Sequence, residues 1–101
     1  MTDRPGARAL QELDKVLAAR PHQDGEAFSA ATQALSALRE EVIVHVRRDN
    51  SAAARKRLGH LNAVLSVVLG GHYPLGEVPW GELEKARGWL EEIVRQEEPA
   101  T

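Results

Sequence analysis

Residues 47–57 read RRDNSAAARKR, and whether a helix passes through them or breaks there decides the fold. Upstream, Phe28, Ala31, Leu35, Leu38 and Val42 recur at spacings of three and four, the mark of one helical face. Continued by sevens, the register of Phe28, Leu35 and Val42 arrives at Asp49 and Lys56. The next apolar stripe is instead Ala54, Leu58, Leu61, Leu65 and Val68. The two stripes are out of phase, so one rod cannot bury both. The chain is expected to break at Asp49-Asn50-Ser51, where Asn50 or Ser51 can accept a hydrogen bond from the free N–H groups of a new helix.

Working outward, the tail of the upstream helix, EVIVHV at 41–46, is β-branched and could form a short strand. Its apolar positions stay in phase with the preceding turns, which favours helix. The downstream helix is expected to stop at Gly70-Gly71. A loop, GGHYPLGEVP, then leads to Pro79, suited to a first helical position, and to Glu82 and Glu84 near the positive end of a helix dipole. Leu83, Ala86, Leu90, Ile93 and Val94 form the last stripe. At the other end, Leu10, Leu13, Val16 and Leu17 mark a first helix closed by Pro21, and Asp24 and Glu26 suit the start of the second. Four stripes with short connections predict an all-α fold, an antiparallel up-and-down four-helix bundle. The expected unit is a single domain over 1–101, with residues 1–6 and 97–101 fraying. Helical hairpins from two chains, paired in an intertwined dimer, would produce the same stripes.

The 101 residues are 43% hydrophobic but only 4% aromatic, so the core is built of alanine, leucine and valine. A chain of this size buries a modest share of its surface, and self-association, a homodimer in the simplest case, is an expected route to added stability. Cysteine is absent, which removes disulfides, thiol nucleophiles and thiolate metal sites. Neither a secretion-signal core nor a membrane span is read, and a cytoplasmic setting is expected.

The net charge of −2 is unevenly spread. Residues 47–57 carry a net +4, residues 58–75 carry no charged side chain, and residues 76–101 carry a net −4. Arg47, Arg48, Arg55, Lys56 and Arg57 therefore form the one strongly positive place, at the elbow between the second and third helices. One reading is self-neutralisation: an up-and-down bundle would bring Glu91, Glu92, Glu97 and Glu98 to the same end. The sharper reading is a site for a small anionic or phosphorylated ligand, or for an acidic protein partner, at the opening of a helix. Nucleic acid is disfavoured, because no aromatic residue is interleaved with the cations and the rest of the surface is acidic.

Of the four histidines, His22 and His72 fall in the two loops expected at the other end of the bundle. Their candidacy as metal ligands is weak, since neither has a helical ligand spacing. His45 is expected partly buried on the margin of the second stripe. His60, in GHLNAVLSVVLGG, lies off its stripe and points outward. An exposed histidine midway along a bundle helix resembles a histidine-phosphotransfer domain in that residue and in fold class. Such domains place a lysine and a small residue soon after the histidine, where this chain has Ala63 and Val64.

No catalytic constellation is read. The serines suit helix surfaces and caps, and adjacent carboxylates such as Glu40-Glu41 splay by about 100° on a helix. No enzyme and no cofactor is expected. A partner surface is better marked. Ile43, Val44 and Val67 lie off the main stripes, and Gly81 and Gly88 share one face of the last helix. Each glycine costs roughly 1 kcal/mol against alanine, which close approach of another backbone or ring would offset. Trp80 and Trp89 sit on different faces, one of them a candidate anchor for a partner protein. The functional expectation is a protein-binding, self-associating bundle, with anion binding at the elbow as the alternative and phosphotransfer at His60 as a third.

Overall fold

A computed structural model describes residues 5–20, 25–74 and 76–97, apart from the side chains of 96 and 97. The described residues form four helices: α1 (Pro5–Ala18), α2 (Gly25–Arg48), α3 (Ala52–His72) and α4 (Trp80–Glu97). No strand occurs among them, so the β-branched 41–46 stretch is helical.

The break falls where the stripes lose phase. At the end of α2, Asp49 N donates to His45 O at 2.8 Å, and Ser51 N turns back to Asp49 O at 2.7 Å. Ser51 is extended, with φ −80° and ψ 157°, and its Oγ accepts from Ala54 N at 3.1 Å. That bond satisfies one of the donors that every helix start leaves open.

All four helices contribute to one apolar cluster, whose largest fully buried members include Leu13, Phe28, Leu35, Leu38, Leu61, Leu83 and Leu90. α1 packs on α2 and α4, and α3 packs on the same two helices, so the four close into a ring around that cluster. A radius of gyration of 13.5 Å matches the roughly 13 Å of a folded chain near 100 residues. The helices are thus folded onto one another within one chain.

The third helix does not stop at Gly70-Gly71. It runs on to His72, and Tyr73 N closes it on Leu69 O at 3.0 Å. Gly71 is a packing residue instead of a terminator. A Cβ built there would lie 2.8 Å from Phe28 Cε1 and 3.2 Å from Leu83 Cδ1, so its bare backbone lets α2 and α4 close on α3. Pro79 stands one residue before α4, and its carbonyl accepts Leu83 N at 3.0 Å. At the start, α1 already holds Pro5 and Gly6, and Gly6 is buried. Pro21, His22, Asp24 and Glu98, to which the sequence assigned roles, lie outside the described residues.

Candidate interaction surface and cationic elbow

The elbow is built from two helix ends. Arg47 and Arg48 occupy the last turn of α2, where cations suit the negative end of the dipole. Arg55 and Lys56 are exposed in the opening turns of α3, and Arg57 is partly buried beside them. Among the described residues none of these five cations forms an ion pair with an acidic side chain. Within the same set, Arg57 Nε is buried and has no hydrogen-bond partner.

The acids expected to neutralise the elbow are partly spent elsewhere. Glu91 accepts Arg87 Nη1 at 2.6 Å and Arg95 Nη2 at 3.1 Å, both on its own helix. Arg87 reaches on to α1, where its Nε donates to Asp14 Oδ1 at 2.8 Å. The hydrogen bond to Asp14, then that to Glu91, hold the Arg87 guanidinium above the ordinary arginine range. A cation with a raised pKa contributes fully below its unfolded value and is lost only as pH rises through the folded one, so the Arg87 guanidinium stays charged across the ordinary pH range. Arg20 bonds Glu84 as a second tie between the end of α1 and α4. Glu91 therefore belongs to the α1–α4 seam, and the elbow does not receive it.

The histidines take other roles than those expected. His45 is exposed instead of partly buried, with its Nε2 4.0 Å from Asp49 Oδ2. His72 stacks on Phe28, centroids 5.8 Å apart and planes within 8°, and on Tyr73 at 4.3 Å. Among the described residues no group of three histidine or acidic side chains is placed to hold a metal. His60 is exposed on α3. A shallow groove between α1 and α2, lined by Pro5, Arg8, Ala30, Gln33, Ala34 and Ala37, brings together one cation and no convergent set of polar groups.

The expected partner-surface residues divide. Trp80 and Val67, both partly buried, pack against the core, Trp80 tilted over Phe28 with centroids 6.3 Å apart. Ile43 is partly buried. Val44 and Trp89 remain exposed, at 45% and 50%, and are joined by Leu69 at 38% and Tyr73 at 70%. Tyr73 escaped the sequence reading because α3 was expected to stop at Gly70-Gly71, and Leu69 because it lies beside the apolar stripe that ends at Val68. A signal existed: Leu69 stands about 100° round the helix from its stripe neighbour Val68. Around Gly81 and Gly88 a Cβ would meet nothing within 4 Å, so no described part of the chain uses their small size. No described helix is long and apolar enough to cross a membrane. Comparison with protein-family models, with curated proteins and with solved structures finds no match.

Proposed function

We propose that this chain is a small non-enzymatic bundle, antiparallel and up-and-down, that acts by associating with itself and with another protein. The direction of the helices is supported by cross-helix pairs. Phe28 meets His72 while Arg39 Nε bonds Asn62 Oδ1 at 2.6 Å, so advancing along α2 retreats along α3. Asp14 pairs with Arg87 and Arg20 with Glu84, in the same opposed order for α1 and α4. The cysteine-free composition suits a reducing, cytoplasmic setting.

The observation that carries the binding reading is Trp89, half exposed on α4 although the core beneath it is complete. Covering the free half of a tryptophan removes on the order of 100 Å² from water, worth about 2 kcal/mol. Light scattering over a dilution series tests this. Wild type should dissociate on dilution, and Trp89→Ala should weaken association about 30-fold with unchanged helicity. A chain that is monomeric at every concentration sinks the self-association reading.

A second reading has its own support in the five elbow cations, which lack acidic partners among the described residues, and in the unsatisfied Arg57 Nε. An anion there would gain from several charge-assisted bonds at one place. Calorimetric titration with inorganic phosphate and pyrophosphate should give heats that vanish in the Arg55→Glu, Arg57→Glu double variant. Equal heats in both proteins, or none in wild type, end that reading.

A further inference from the structure

We propose that α3 lays its outward face on the α3 of a second copy of this chain. The two helices cross antiparallel about a two-fold axis level with Val64 and Leu65. This rests on the self-association reading above and names its surface.

Gly59, Ala63, Ser66 and Gly70 succeed one another at spacings of four, three and four, so they lie on one side of α3. That side turns away from the buried Leu61, Val64 and Val68; Gly59, Ser66 and Gly70 are exposed and Ala63 is partly so. From Leu58 to Leu75 the chain has no charged residue. The exposed positions of the other helices, by contrast, include Arg8 and Lys15 on α1, Glu40 and Glu41 on α2, and Lys85 and Glu92 on α4. Among the described residues nothing lies within 4 Å of where a Cβ of Gly59 or Gly70 would stand. Gly59, in the interior of α3, costs about 1 kcal/mol against alanine, and neither it nor Gly70 in the last turn has its small size used by the described chain. Close approach of another helix accounts for both.

Charge selects the occupant and its direction. The face, uncharged in α3's own residues and edged by Arg39 of α2 at Asn62, is bracketed by exposed Arg55 and Lys56 at one end and by exposed Glu77 and Glu82 at the other. Neither cation has an acidic partner among the described residues, while Glu82 has only Lys85 at 3.6 Å. A parallel pairing would set like charges together. An antiparallel pairing of two identical copies sets the basic end of each over the acidic end of the other, twice by symmetry. With the axis at Val64 and Leu65, Gly59 faces the partner's Gly70 and Ala63 faces the partner's Ser66. Lys56 then reaches the partner's Tyr73, whose ring is exposed and able to take a cation on its face. Trp89 borders the same surface. Arg87 and Glu91 mark the α1 side of α4, and Trp89 falls on the opposite flank, toward α3. Leu83 lies against Gly71. Six residues further along α4, about 9 Å, Trp89 is level with the middle of α3.

Because the chain has no cysteine, cross-linking can be read without background. Gly59→Cys and Gly70→Cys chains, mixed and mildly oxidised, should yield a disulfide-linked dimer, and each variant alone should not. Gly70→Arg places charge in open space and Ser66→Glu at an exposed position; both should keep wild-type helicity, and the wild-type melting temperature at dilutions where wild type is monomeric, yet weaken association about 30-fold. Lys56→Glu should weaken it as well, and adding Glu82→Lys should restore it. A wild type that associates undiminished in Gly70→Arg and Ser66→Glu, with no 59–70 cross-link, overturns this face and leaves self-association standing. A strictly monomeric wild type overturns both.

Discussion

Gly71 and Gly88 are the same residue in two helices, with opposite consequences for an added methyl group. At Gly71 a Cβ would press to 2.8 Å from the ring edge of fully buried Phe28, which is itself held between His72 and Trp80. That ring has nowhere to retreat, so the helical gain of alanine, about 1 kcal/mol, is outweighed by overpacking of about 1–3 kcal/mol. Gly71→Ala should lower stability by about 1 kcal/mol in urea melts. Gly88→Ala meets open space and should raise it by about 1 kcal/mol. Equal effects at the two positions would show that Phe28 does not lie against α3. Sequence alone assigns these glycines the other way round, Gly71 to a helix stop and Gly88 to a close approach, because the neighbour across the gap is not encoded in either local pattern. His45 shows the same limit. Its position on the wheel suggested the margin of the core, but in the last turns of α2 it stays in solvent.

At the scale of the element, the α2–α3 break was legible in the sequence, with the cap left between Asn50 and Ser51 and taken in the fold by Ser51. Two stripes that cannot share one phase force a break, and Ser51 is a residue able to cap the new helix. Its Oγ takes Ala54 N, and no acid stands in the first turn of α3 to help. The cap is therefore expected to matter: Ser51→Ala should cost about 1 kcal/mol, read by chemical denaturation, and Ser51→Asp should recover most of it. A neutral Ser51→Ala would mean that tertiary packing alone sets this helix start. The other end of α3 was misread. Gly70-Gly71 has the composition of a terminator, but the helix continues because Phe28, Leu83 and the stacked rings of His72 and Tyr73 sustain its last turn. A local stop signal yields to packing when the packing needs the bare backbone.

On the scale of the whole molecule, charge is distributed among seams in a way that one-dimensional counting could not give. Counting placed Glu91 with the basic elbow. In the fold it joins Arg87, Arg95 and Asp14 along the α1–α4 seam, and the elbow keeps its charge among the described residues. That allocation bears on both functional readings. It leaves Arg55 and Lys56 available for an anion or for the acidic end of a second copy, and the light-scattering and calorimetric experiments separate these. The same closing of the ring places Trp80 over the core and leaves Trp89 half in solvent. Two tryptophans of equal standing in the sequence thus acquire different roles.

By itself the sequence determined the helical class, the number and phase of the stripes, the break at 49–51 with a cap from Asn50 or Ser51, and the uneven charge along the chain. These depend on spacings within a few turns, where the geometry of one helix is enough. The tertiary structure decided which glycine is a packing site, which carboxylate meets which guanidinium, and which apolar side chains are left outside. Those outcomes depend on residues far apart in the chain that meet only when the ring of helices closes, and no local period encodes such a meeting.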